Sequence, residues 1–149
     1  ETAFNGRANC YYMLQKYKEA KMDYTKAIEL VPNDAASYKY WRGICNYNLN
    51  LAQEALNDFT SYLNKEPDDS YVLLMSAHSL YILEDYQQAT TYYTKAISIK
   101  SDYTEAYYWR GNAYFNLGRK SEATRDVDKA ISLDPENETY KKFKRDNLN

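Results

Sequence analysis

The stretch Tyr40-Trp41-Arg42-Gly43 returns as Tyr108-Trp109-Arg110-Gly111, 68 residues later, which is twice 34. Self-similarity at a fixed period of this length is the mark of stacked helical repeats. Pro32, Pro67 and Pro135 fall in the same frame, 35 and 68 residues apart, with the missing midpoint of the second interval at Ser101. The frame divides the chain into units near 1–34, 36–69, 70–103 and 104–137, with Ala35 as a one-residue insertion and 138–149 left over.

The same chemistry recurs at fixed places in each unit. The eighth position is Ala8, Gly43, Ala77, Gly111, and the twentieth is Ala20, Ala55, Ala89, Ala123. The twenty-fourth is Tyr24, Phe59, Tyr93, Val127, and the twenty-seventh is Ala27, Tyr62, Ala96, Ala130. Small residues at fixed points let two helices approach closely while the larger side chain fills the space beside them. Tyr62 breaks that rule, so the second unit is expected to pack differently there. Each unit reads as two antiparallel helices, the first near 2–14, 36–49, 70–83 and 104–117, the second near 18–31, 52–65, 86–99 and 120–133. Gly118 is a natural left-handed C-cap and Asn50 a substitute for one. The prolines stop the second helices, and at the one junction without proline, Ser101 and Asp102 are candidate caps for a helix starting near Thr104. Tyr140, Phe143 and Leu148 among charged residues in 138–149 suggest a capping helix or the start of a fifth unit.

Composition excludes several classes. A 149-residue chain buries about two thirds of its unfolded surface, enough for one domain. A net charge of −2 offers no basic field for nucleic acid or an anionic membrane, and no apolar run approaches the ~20 residues of a membrane span. The start at Glu1, without a signal-peptide pattern, suggests a segment of a longer protein, expected in the cytoplasm. Cys10 and Cys45 lie one repeat apart, at equivalent places too distant for a disulfide, and read as two buried thiols.

This pattern resembles the tetratricopeptide repeat over nearly the whole chain. The family's consensus has an aromatic or Leu near position four, Gly or Ala at eight, Tyr at eleven, Ala at twenty, an aromatic at twenty-four, Ala at twenty-seven and Pro at thirty-two. The first unit matches with Phe4, Ala8, Tyr11, Ala20, Tyr24, Ala27 and Pro32. The fourth matches with Tyr107, Gly111, Tyr114, Ala123, Ala130 and Pro135, with Val127 in the aromatic place. The second departs at Lys39, Asn46 and Tyr62, and the third has Leu80 in the Tyr place and no terminal Pro. The resemblance implies an all-α, right-handed solenoid of antiparallel helix pairs, four repeats and a C-terminal cap in a single domain. It also implies a concave wall built from the first helices, lined by Asn5, Asn9, Tyr12, Tyr40, Ile44, Tyr47, Tyr71, Leu74, His78, Tyr81, Tyr108, Asn112 and Phe115.

Such a wall is aromatic and amide-rich. Tyrosine offers apolar area and a hydroxyl at low entropy cost, and asparagine offers a donor and an acceptor to an extended backbone. The expected role is a non-catalytic protein–protein interaction module that holds a partner peptide; the alternative is a structural or self-associating segment, stacking end to end. Trp41 and Trp109 read equally as inter-repeat packing or as ligand anchors, and Arg42 and Arg110 as inter-repeat salt bridges. Some family members clamp a C-terminal carboxylate with Lys and Arg. The corresponding places here hold Asn5, Asn9, Trp41, Tyr71 and Met75, or Tyr40, Ile44, Met75, Glu105 and Trp109, which supply no cation for that chemistry. His78 is the only histidine, and no glycine-rich loop, nucleophile motif or zinc spacing accompanies it, so no catalytic residue, metal or cofactor is expected.

Overall fold

The computed structural model describes residues 2–32 and 35–148, so the unit limits drawn at 1, 34 and 149 lie outside the described residues. Nine α-helices lie among them: α1 Thr2–Met13, α2 Tyr17–Leu30, α3 Ala36–Asn48, α4 Ala52–Leu63, α5 Ser70–Ile82, α6 Tyr86–Ile99, α7 Thr104–Asn116, α8 Lys120–Leu133 and α9 Glu138–Asn147. They fall into two compact units, Glu1–Pro67 with α1 to α4 and Asp68–Asn149 with α5 to α9. Each unit holds two helical hairpins in succession.

The hairpins close where the fixed small residues meet. Ala20, Ala27, Ala55, Ala89, Ala96, Ala123 and Ala130 are all fully buried. Gly43 and Gly111 sit against the second helix of their own hairpin: a Cβ on Gly43 would meet Phe59 Cε1 at 2.7 Å, and one on Gly111 would meet Val127 Cγ2 at 2.8 Å. In three of the hairpins the residue at position nine matches the polarity of position twenty-four. Where it is Tyr, the hydroxyl finds a polar partner: Tyr24 donates to Asn9 Oδ1 at 2.6 Å, and the Tyr93 hydroxyl lies 2.8 Å from His78 Nδ1. Where it is Phe59, position nine is the apolar Ile44. A buried hydroxyl without a partner would be costly; the fourth hairpin has Val127 and Asn112, whose amide bonds the Tyr108 carbonyl of its own helix instead.

Turns obey one geometry in all four hairpins. Gln15, Asn50, Glu84 and Gly118, at the fifteenth position, take φ of 57°, 59°, 62° and 73°. Gly118 and Asn50 are the expected left-handed caps; Gln15 and Glu84 adopt the same conformation with a Cβ in the way. Side-chain N-caps come from Asp69, Asp85 and Asn137. The expectation for α7 is corrected: Tyr103 occupies the N-cap place without a side-chain cap, and Asp102 contributes only its carbonyl, 2.8 Å from the Thr104 amide. Ser101 and Asp102 stand too early in the chain to cap that helix.

Helix α9 keeps the register of a first helix. Phe143 falls where Trp41 and Trp109 stand, and stacks edge-on against Phe115 at 5.7 Å. Lys144 falls in the place of Arg42 and Arg110, with Nζ 2.6 Å from Asp128 Oδ1. Leu148 joins Ala123 and Val127 in the core. Arg145, however, holds the eighth position, reserved elsewhere for Gly or Ala. A second helix cannot approach α9 as closely as Phe59 approaches Gly43.

Candidate functional site

Each unit carries the same ladder of aromatic rings. In the first unit Tyr12, at the end of α1, stacks edge-on against Tyr17 at 5.8 Å and against Trp41 of α3 at 5.1 Å. Trp41 continues to Tyr40 at 4.9 Å, and Tyr40 to Tyr62 at 5.4 Å. In the second unit Tyr81 meets Tyr86 at 5.1 Å and Trp109 at 5.2 Å, and Trp109 meets Tyr108 at 5.5 Å. Tyr108 then meets Tyr140 at 4.4 Å and Phe143 at 5.7 Å. Position for position, Tyr12, Tyr17, Tyr40 and Trp41 correspond to Tyr81, Tyr86, Tyr108 and Trp109. The tryptophans thus pack between successive hairpins, and Tyr62, the exception among the small residues, is absorbed as the end of the first ladder.

A polar tie accompanies each ladder. Arg42 donates from Nε and Nη2 to the two carboxylate oxygens of Asp58, at 2.9 and 2.7 Å, and from Nη1 to Thr25 Oγ1 at 3.3 Å. Arg110 does the same with Asp126, at 2.6 and 2.8 Å, and with Thr94 Oγ1 at 2.9 Å. The expected inter-repeat salt bridges are therefore corrected. The carboxylate belongs to the same hairpin, sixteen residues on, and the link to the preceding hairpin is a neutral threonine. The forked guanidinium serves both at once. Arg7 makes the same pair with Asp23, at 2.6 and 2.8 Å.

The thirteen residues assigned to the wall fall into different environments. Tyr71, Phe115 and Asn9 are exposed, and Asn5, Tyr12, Tyr40, Tyr47, Tyr81 and Tyr108 are half-buried. Ile44 and Leu74 are only 4% and 2% exposed, and His78 and Asn112 are buried as well. These four offer a ligand little surface. His78 is held by Tyr93 on Nδ1 and lies 3.3 Å from Glu105 Oε1 through Nε2, with the Trp109 ring edge-on at 5.3 Å. That bond holds the Glu105 carboxyl below its ordinary value, against the opposing effect of its partial burial. Asn112 turns its amide onto the Tyr108 carbonyl at 2.8 Å, and Asn116 bridges the Asn112 carbonyl and the Tyr81 hydroxyl at 2.9 and 3.1 Å.

Cysteine environments also differ from the sequence reading. Cys45 is buried, and burial pushes its thiol up to about 12, whereas Cys10 is exposed. Among the described residues no group of three or more His, Cys, Asp or Glu side chains could hold a metal ion, and no helix is long and apolar enough to cross a membrane.

Family models for the tetratricopeptide repeat match residues 2–34 and 104–137, and a further TPR repeat model matches 77–118. The chain is 29% identical to the DnaJ protein P58IPK homolog B of Oryza sativa subsp. japonica, over 94% of this chain and 32% of that protein. It thus spans about one third of the length of that relative. Among solved structures, YrrB, described as a TPR protein with an unusual peptide-binding site, superposes with a TM-score of 0.91 at 22% identity, covering 97% of this chain and 74% of that one. The first TPR of Spaghetti (RPAP3), bound to the HSP90 peptide SRMEEVD, superposes with a TM-score of 0.71 at 23% identity, covering 74% and 88%. These likenesses establish an all-α solenoid fold of antiparallel helix pairs.

Proposed function

Because this chain belongs to the tetratricopeptide repeat family, we propose that it is a non-catalytic interaction module that holds a segment of a partner protein on the aromatic faces of its first helices. The observation that supports this reading most is the doubled ladder, Tyr12–Trp41–Tyr40 and Tyr81–Trp109–Tyr108. Each ladder is a preformed, low-entropy surface for an apolar anchor, and the Asn116 amide bonds the Tyr81 hydroxyl of the second. The assigned residues carry no Lys or Arg. A partner is accordingly expected to present apolar or aromatic anchors, and an acidic peptide of the SRMEEVD kind to bind weakly or not at all.

Peptide-array selection followed by calorimetry tests this. Tyr40→Ala and Tyr108→Ala are expected to weaken binding of the selected peptide at least tenfold. Tyr71→Ala, at an exposed position, is expected to weaken it without lowering the melting temperature. Unchanged affinity in all three removes the proposal.

One observation favours a second reading. The tryptophans lie between hairpins, so the ladders also serve stability, and a segment that is purely structural or self-associating would need them for that alone. In that case the array yields no ligand, and sedimentation shows either a monomer or association through the chain itself.

A further inference from the structure

The second hairpin lacks the tyrosine found at position eleven of the first and fourth. Tyr11 packs with Ala8, Ala20 and Tyr24, and Tyr114 packs with Ala123 and Val127. Around Tyr114 the Arg110 and Arg119 guanidinium carbons lie 5.9 and 4.6 Å from the ring centroid, and Arg119 holds Glu122 at 2.8 Å. At the equivalent place in the second hairpin stands Asn46, and beside it is a cavity of about 240 Å³ lined by Lys21, Arg42, Asn46, Glu54, Asn57 and Asp58. Arg42, Glu54 and Asp58 correspond, position for position, to Arg110, Glu122 and Asp126 near Tyr114. The space is one that a phenol ring fills elsewhere in the same chain.

Asn46 adds an unmet demand. It is 2% exposed, its Nδ2 donates to Asp58 Oδ2 at 3.0 Å, and its Oδ1 has no hydrogen-bond partner among the described residues. The orientation is fixed by chemistry, since a carboxylate held by arginine only accepts, so the amide must turn its nitrogen to Asp58. A buried acceptor left unpaired is costly and asks for a donor. The cavity falls below the ~300–1,000 Å³ typical of drug-sized ligands and matches one side chain. Its rim includes the exposed Glu54 and Asn57, so a visitor enters from solvent, and a small turn of the Asn46 side chain is needed to bring its closed-off Oδ1 to a donor.

We infer that this cavity is a socket for a phenolic side chain, a tyrosine offered by a partner, whose ring lies beside the Arg42 guanidinium and whose hydroxyl donates to Asn46 Oδ1. The inference is separate from the ladder proposal, because none of the socket residues belongs to either ladder.

The probe is p-cresol, the tyrosine side-chain analogue, with toluene as its counterpart without a hydroxyl, titrated into the 149-residue chain labelled with ¹⁵N. Saturable shifts are expected at the Asn46 side-chain amide and the Arg42 Nε–H, with toluene about tenfold weaker, as one hydrogen bond to a buried acceptor warrants. Asn46→Tyr, which restores the ring of the first and fourth hairpins, is expected to abolish the shifts and raise the melting temperature. Asn46→Leu, which copies Leu80 of the third hairpin, keeps an apolar side chain without the acceptor and is expected to erase the preference for p-cresol. No saturable shift, equal binding of both probes to the unaltered chain, or binding that survives Asn46→Tyr would each overturn the inference. A cavity that holds water alone gives the first of these results.

Discussion

Asp126→Ala is expected to destabilise the chain by about 3 kcal/mol, the low end of the range for removing one partner of a buried ion pair. The low end applies because Arg110 keeps 15% of its side chain exposed and retains Thr94 as an acceptor. Asp58→Ala is expected to cost a similar amount, since Arg42 is 23% exposed and Asn46 Nδ2 loses its acceptor too. Asp23→Ala should cost far less. Its two bonds to Arg7 are as short as the others, but that guanidinium side chain is 57% exposed and water takes over from the carboxylate. Geometry is thus held constant across three sites while burial varies. Urea unfolding reads the difference: with a slope of about 2 kcal/mol/M, Asp126→Ala lowers the midpoint by about 1.5 M. The small effect of Asp23→Ala should shrink further at about 0.5 M salt, while the other two persist. Replacing both partners, Arg110→Met with Asp126→Leu, is expected to recover much of the loss. Equal losses at all three sites would refute the reasoning, because burial would then not set the worth of the pair.

Three further outcomes are expected. Glu84→Gly and Gln15→Gly should each raise stability by about 1 kcal/mol in urea melts, because each residue carries a Cβ in the left-handed region that Gly118 occupies freely; a loss of stability would contradict this. In the native state a thiol reagent at pH 8 should label Cys10 and leave Cys45 unreacted until the chain unfolds, since burial both hides that thiol and pushes its titration up to about 12; fast labelling of both would count against the packing. Glu105, held below its ordinary 4.5 by the bond from His78, contributes stability that is present above that value and lost as pH falls through the depressed one. Glu105→Gln should therefore flatten the acid limb of the stability–pH curve, and an unchanged limb would exclude the pairing.

Much of the fold was legible because the periodic places are decided by local steric fit. The two copies of Tyr-Trp-Arg-Gly, the alanines at position twenty and the prolines locate the hairpins to within a residue or so of their observed ends. The site was less legible. Position nine looks like a wall position in sequence, but Ile44, His78 and Asn112 are buried while Asn9 is exposed, although Asn9 and His78 both bond the tyrosine at position twenty-four. The arginine pairs had a readable signal, an aspartate sixteen residues after Arg7, Arg42 and Arg110 and none after Ser76. The demand on Asn46 Oδ1 needed coordinates, because it arises from what surrounds the residue rather than from its type. Gln15 and Glu84 gave no hint of a left-handed turn, since neither favours it; only the register shared with Asn50 and Gly118 places them there.

The most direct test of the proposed function is a chemical-shift map of the ¹⁵N-labelled chain with an array-selected peptide. The largest changes are expected at the indole N–H groups of Trp41 and Trp109 and at the backbone amides of α1, α3, α5 and α7. Changes confined to the second helices α2, α4, α6 and α8, or an array from which no peptide binds, would contradict a role in holding a partner on the aromatic ladders.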